Sequence, residues 1–251
     1  MGQLWEYVKM ALANIRMNRG RSFLTMLGII IGVGAVIVMI SIGMGVRQNV
    51  TNSIASLGSN MLIVPPGSAN KGGVRSAAGS NQSLKLDDAE AIQKRIKDID
   101  YVAPTVNSSY QVVYGNQNWN TSVYGVTPDY MKIRSLTVAS GSFITNADDN
   151  SRNRVAVIGS TVATNLFGTK NPVGSNIRIH NQPFKVIGVL ESKGQSSMGS
   201  DQDDVVLVPL KTAQERLMGI TYIRSINIQV TNTNDMDAVQ EQVETLLRQR
   251  H

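Results

Sequence analysis

An uncharged run of 25 residues, SFLTMLGIIIGVGAVIVMISIGMGV (Ser22–Val46), limits what this chain of 251 residues can be. As a helix rising about 1.5 Å per residue it spans roughly 37 Å, enough to cross a hydrocarbon core about 30 Å thick. Two other uses compete with that one. A cleaved secretory leader has an apolar core of about 7–15 residues and a small-x-small site just after it. Here the run is longer, 21 residues precede it, and it ends in Val46-Arg47-Gln48. A buried helix in a soluble domain would need a large host to surround 25 uncharged residues. The pattern predicts a transmembrane helix.

The flanks orient it. Arg16, Arg19 and Arg21 stand just before the run, and only Arg47 follows closely. Basic residues stay on the cytoplasmic side, so the N-terminus is expected in the cytoplasm and everything after about residue 47 outside. The net charge of +6 reads differently in this light. Half of it comes from residues 1–21, and the rest is scattered over the remaining chain. A nucleic-acid binder gathers its basic groups into a stripe or patch, so no nucleic-acid partner is expected.

Ahead of the run, Leu4, Trp5, Val8, Leu12 and Ile15 share one helical face, with Gln3, Glu6, Lys9 and Arg16 elsewhere. An apolar stripe with Trp and basic neighbours suits a helix lying in the headgroup plane, against the lipid bilayer. Docking on another cytoplasmic protein is the alternative, and the two are compatible. Inside the run, Gly28 and Gly32 form a G-x-x-x-G pair that allows close helix approach in lipid. Beyond it, Val46, Val50, Ile54 and Leu57 continue a helical stripe up to Gly58, a stop in the usual position past a helix end. The span is therefore expected to run on as a stalk whose apolar seam wants a partner helix.

The remainder alternates strands and helices. Met61–Val64 reads as a strand stopped by Pro65-Pro66, followed by a Gly/Ser-rich loop over 67–83. A helix from Asp87, with Asp87 as N-cap and Glu90 at the capping-box position, buries Ala89, Ile92 and Ile96. A strand over Tyr101–Val106 follows. After a long interruption come a strand at Val205–Val208, a capping box from Thr212 and Glu215, an alternating strand over Ile223–Val230, and a helix striped by Met236, Val239, Val243 and Leu246. Two such units match a split β-α-β-β-α-β arrangement. The interruption, residues 107–203, is strand-rich, with one helix at Thr161–Phe167 capped by Ser160 and stopped by Gly168. The fold class expected is membrane-anchored α+β. Residues 1–21 form an interfacial helix and residues 22–57 the span and stalk. Residues 58–106 with 204–251 form one lobe, and residues 107–203 an inserted lobe.

Catalytic chemistry finds little support. There is no Cys, so no thiolate metal site or cysteine nucleophile, and His180 and His251 are far apart in sequence. The acidic groups Asp201, Asp203 and Asp204 lack the spacing of a calcium loop and read as a solvated turn, as do Asp148 and Asp149. No P-loop occurs, so no nucleotide or metal cofactor is expected in this chain and no enzymatic activity.

The ordered blocks YGVTPDYMKIRSLTVASGSFIT (Tyr124–Thr145), VAVIGSTVATNLFG (Val155–Gly168), NPVGSNIRI (Asn171–Ile179) and FKVIGVLESKGQSSMGSDQDDVVLVPLKTAQERL (Phe184–Leu217), with the opening MALANIRMNRGRSFLTMLGIIIGVGAVI, resemble the MacB/FtsX-type permeases of ABC transporters, the MacB branch above all. The resemblance implies a dimeric permease of the bacterial inner membrane. It further implies ATP and Mg bound by a partner ATPase, and an extracytoplasmic region made of a porter-like lobe and an inserted sabre-like lobe. A periplasmic adaptor of the membrane-fusion type, and in some hosts an outer-membrane exit duct, complete such a machine. Its implied action is mechanotransmission: ATP hydrolysis moves the stalk and outer lobes, exporting antibiotics, peptides or lipoproteins. Family permeases have four spans, three of them after the extracytoplasmic domain, so this sequence matches the N-terminal portion, from a truncated or a split permease. The rival reading is a membrane-anchored binding or scaffold protein that reuses the lobes without transport.

Overall fold

The computed structural model describes residues 5–7, 9–10, 18–56, 60–67, 70–71, 74–75, 83–196 and 199–251, with the backbone alone for Ser22 and residues 46–56, 70–71 and 74–75. The chain divides into two compact units, Met1–Asn52 and Ser53–His251.

The first unit is dominated by α1, a helix of 38 residues, Arg19–Ser56. Within it Arg19–Gly45 is long and apolar enough to cross a membrane, with a mean hydropathy of 2.7 over its most apolar stretch. Phe23, Leu24, Ile30, Ile37 and Met39 are all exposed, on every side of the helix. None of its most apolar stretch is buried against other described residues. The expected stalk is helical in backbone as far as Ser56. The side chains of Val46, Val50 and Ile54 and the whole of Leu57 lie outside the described residues.

In the second unit the strands are β1 (Met61–Val64), β2 (Asn70–Lys71), β3 (Val74–Arg75), β4 (Ile99–Tyr114), β5 (Gln117–Val126), β6 (Val138–Gly141), β7 (Val155–Ile158), β8 (Asn176–Ile179), β9 (Gln182–Leu190), β10 (Val205–Pro209) and β11 (Ser225–Val230). The helices are α2 (Leu86–Arg95), α3 (Asp129–Ile133), α4 (Asn146–Asn150), α5 (Ser160–Phe167), α6 (Leu210–Thr212) and α7 (Met236–Arg250). Apart from the β2–β3 pair, the described strands form one mixed sheet in the order β1-β11-β4-β5-β10-β7-β9-β6. Strand β8 pairs with both β4 and β9. The pairings therefore run in a closed circuit, β4-β5-β10-β7-β9-β8 and back to β4, which removes most free edges there.

Strand β11 lies between β1 and β4, antiparallel to both, so β1 and β4 run parallel with a strand inserted. That is a split β-α-β unit with α2 as its crossover. The second unit, β10-α6-β11, departs from the expected arrangement, because both β4 and β5 separate its strands. The expected strand Tyr101–Val106 is only the first half of the single strand β4, which runs on through the polar Asn107-Ser108-Ser109 to Tyr114. The residue 106/107 boundary between the expected lobes thus falls inside one strand.

Alternation explains the core. In β10 Val206 and Val208 face the main apolar cluster while Leu207 faces a second one; in β7 Ala156 and Ile158 face the first and Val157 the second. A strand buried on both faces reads as a continuous apolar run, as VVLV and VAVI do. The main cluster takes Ala89 and Ile92 from α2, Val162 and Phe167 from α5, Phe184 from β9, and Val239, Val243 and Leu246 from α7. Each large side chain buried there contributes about 1.5–3 kcal/mol.

Helix termini differ from expectation in three places. The N-cap of α2 is Lys85, not Asp87, and the Asp88 carboxylate at N3 accepts from the Lys85 amide. Gly159, not Ser160, caps α5. The Thr212/Glu215 box does not form: the segment after α6 is π-helical over Ala213–Met218, Thr212 donates to the Asn153 carbonyl, and Glu215 pairs with Arg152 at 2.6 Å. In the third case tertiary partners, Asn153 and Arg152, take the side chains that the local cap would use.

Candidate functional site

Strand β1, which follows α1 in the chain, and helix α7 stand together. A groove of about 690 Å³ has β1 and Pro65 on one wall and α7, through Val243, Glu244, Leu247 and Arg248, on the other. Four residues separate the ends of α1 and β1. On β1, Leu62 and Val64 pack toward the main cluster while Ile63 stays 54% exposed. On α7, Val243 and Leu246 anchor the helix from beneath.

A buried carboxylate fastens the end of α7. Asp88, at the start of α2, is 2% exposed. It accepts from the Lys85 amide at 2.9 Å and from Arg250 Nε at 2.7 Å, and it lies 3.0 Å from His251 Nε2. Burial alone would raise this carboxyl, but the hydrogen bonds from Arg250, Lys85 and His251 outweigh it and hold its pKa below the ordinary value. The latch thus joins α2 to the last turn of α7. Sequence reasoning missed it: Asp87 reads as the N-cap, and nothing local points from Asp88 to a partner 162 residues ahead.

The acidic turns are not the solvated loops expected. Asp203 is 6% exposed. Burial would raise it, yet the amides of Lys193 (2.8 Å) and Gly194 (3.0 Å) and the Ser192 hydroxyl hold it below its usual range. Asp148 caps α4 through Thr145. Asp149 is buried, accepts from the Lys211 amide at 2.8 Å, and has its pKa raised by burial. These carboxylates pin loops. Among the described residues no group of three or more His, Asp or Glu could hold a metal ion.

The candidates for membrane anchoring and helix packing lie in the first unit. Trp5 is exposed, with the Lys9 ammonium 5.8 Å from its ring centroid. Arg19 and Arg21 are exposed at the start of α1; Arg16 lies outside the described residues, as do Leu4, Val8, Leu12 and Ile15. Gly28 and Gly32 have open space where a Cβ would stand. His180 is exposed and takes a positive φ with Asn181 in the turn between β8 and β9.

Residues 22–246 match the family described as MacB-like periplasmic core domain. The macrolide export ATP-binding/permease protein MacB of Bdellovibrio bacteriovorus is 41% identical over 99% of this chain and 38% of its own length. The protein of the same name from Rhodospirillum rubrum is 41% identical over 98% of this chain and 37% of its own. The chain thus spans well under half the length of these relatives. Among solved structures, the periplasmic region of MacB from Actinobacillus actinomycetemcomitans superposes with a TM-score of 0.67 at 26% identity, covering 79% of this chain and 87% of that one.

Proposed function

The chain belongs to the MacB-like periplasmic core domain family, and from that membership we propose that it is the N-terminal part of an ABC-transporter permease. In this reading α1 crosses the bacterial inner membrane, the N-terminus is cytoplasmic, and the residues after about 47 are extracytoplasmic. A partner ATPase binds ATP and Mg and does the hydrolysis; this chain transmits the motion. A second permease copy, an adaptor of the membrane-fusion type and, where the host has one, an outer-membrane duct complete the assembly. The cargo class is that of antibiotics, peptides or lipoproteins.

One observation carries the mechanical part. The incoming strand β1 and the outgoing helix α7 line one groove, and α7 is latched to α2 through Asp88. In a permease whose later spans follow α7, a displacement of the stalk relative to those spans would be felt as strain between two elements that already touch the same wall. The porter-like lobe (58–106 and 204–251) and the sabre-like lobe (107–203) share the uninterrupted strand β4, so motion of one is carried to the other through hydrogen-bonded backbone.

The test is a broken stalk. Inserting Gly-Gly-Ser after Asn52 interrupts α1 at a cost of about 1 kcal/mol of helix stability per Gly and frees the backbone. In the assembled transporter ATP hydrolysis should persist while export is lost. Export at the full rate through a broken stalk would overturn mechanotransmission and favour a passive binding module.

A further inference from the structure

Strand β1 is paired on one side only. The Val230 amide donates to the Asn60 carbonyl at 2.8 Å, and the opposite pairs that follow are Met61/Gln229, Leu62/Ile228, Ile63/Asn227 and Val64/Ile226. Hydrogen-bonded pairs alternate along an antiparallel ladder, so Leu62 and Val64 turn their N–H and C=O groups toward β11. The same groups of Met61 and Ile63 point the other way, and among the described residues no hydrogen bond meets them. Pro65 and Pro66 end this free row, having no N–H to give. Ile63 is also, among the described residues, the one large apolar side chain of the second unit left exposed.

Beside this edge runs the groove of about 690 Å³, where Leu84, Val243 and Leu247 join Leu62 and Val64 in the lining. A row of unpaired backbone along an apolar trough is the setting in which an extended segment adds to a sheet. The charged groups of the groove are already engaged: Arg248 pairs with Glu244 at 2.6 Å, and His251 lies 3.0 Å from Asp88.

Topology says where such a segment comes from. In the split unit β1-α2-β4, strand β11 lies between the two parallel strands. Strand β11 runs antiparallel to β1, and α7, which follows it, packs into the same apolar cluster as α2, on the same face of the sheet. A crossover of the same hand on the same face, leaving a strand of opposite direction, must shift the opposite way. The strand after α7 then lands beyond β1, parallel to β11, and completes a second split unit.

We propose that the groove is the slot for a strand supplied by the polypeptide that continues past α7, paired antiparallel to β1 through Met61 and Ile63. Its alternate apolar side chains lie against Leu84, Val243 and Leu247. This rests on the reading of the chain as the N-terminal part of a longer permease, in keeping with its covering 38% of the Bdellovibrio relative. The added strand extends the ladder of β1, and α7 still meets the sheet through side chains alone.

Hydrogen exchange resolved to single amides tests the slot, on the 251-residue chain and on the complete permease, both in nanodiscs without nucleotide. Met61 and Ile63 should exchange freely in the chain alone and slow by about tenfold or more in the permease. Ile228, bonded inward to Leu62, should be protected in both and certifies the β1–β11 pair. Ile63→Pro removes one outward donor and leaves the inward ones in place, so in the permease it should return Met61 to free exchange while Ile228 stays protected. As a second arm that leaves the domain untouched, an alternating Thr-Val segment joined to His251 by a short Gly-Ser linker should protect Met61 and Ile63, and a Thr-Pro segment should not. Free exchange at both amides in the permease overturns the proposal; protection by the tether alone would leave an edge that accepts strands but not this one. A disulfide between two copies carrying Ile63→Cys would make the edge an interface between copies and overturn it as well. None of these readouts needs ATP or export, so failure of the slot and failure of the transport reading are seen separately.

Discussion

Asp88 shows how a single buried charge can set a molecule's pH response. Its pKa is held below the ordinary 3.8, so the stability it contributes is fully present above that value and is lost as pH falls through the lower folded value. A thermal melt of the chain should therefore lose stability on acidification below about pH 4. Asp88→Asn should cost about 1–3 kcal/mol at neutral pH and flatten that acid slope, because Arg250 and the Lys85 amide lose a charged acceptor. An unchanged slope would mean that the latch does not report on folding. Asp203 makes the complementary case. It draws the loop over 192–194 onto itself, and its own carbonyl comes so close to Gly159 that a Cβ there would sit 2.1 Å from it. Gly159→Ala must displace this backbone, and a loss of about 2 kcal/mol or more, read by denaturant titration, is expected. In sequence Asp88 is one more residue of a helix's first turn, and Asp203 a member of a polar turn. What distinguishes them is burial against donors that the chain brings up only after folding.

At the scale of elements, the regular periods were the legible part. The stripes Val239, Val243, Leu246 and Ala89, Ile92 face the core as their spacing predicts, and Gly168 ends α5 at a positive φ. The failures share a cause. Strand β4 was split because Asn107-Ser108-Ser109 looks like a turn; paired across ten positions with β5, those polar residues sit in a ladder that satisfies their backbone. The π-helical turn after α6 follows from contacts to Arg152 and Asn153 that are remote in sequence. The candidate site was least legible, since the groove draws on segments more than fifty residues apart. Helix α1 carries a prediction at this scale. Its exposed apolar surface and the open faces of Gly28 and Gly32 have no partner among the described residues of this chain. In the complete permease, leucine at both glycines should impair assembly by blocking close helix approach. Reduced recovery of the dimer and its ATPase on gentle extraction is the measurement, and normal assembly would remove the glycines from the interface.

For the whole molecule the question is whether work done at the membrane reaches a sheet that lies outside it. A closed circuit of pairings resists shear, because slipping any one strand breaks ladders on both its sides. Such a body moves as a unit or pivots; it does not dissipate a push by local stretching. The compliant place is then the groove between β1 and α7, two elements that share no ladder, α7 being held instead to α2 through Asp88. The absence of Cys from the sequence allows that gap to be measured directly. Spin labels on cysteines at Ile63 and Glu244, both exposed on opposite walls, should report one distance distribution in the nucleotide-free transporter and a shifted one when ATP is trapped. A shift of several ångströms is the expected scale for packed elements sliding past each other. The Gly-Gly-Ser insertion after Asn52 should abolish the shift while leaving hydrolysis intact, since the push would be absorbed before it reaches β1. If the distance changes equally with and without the insertion, force enters through α7 rather than through the stalk.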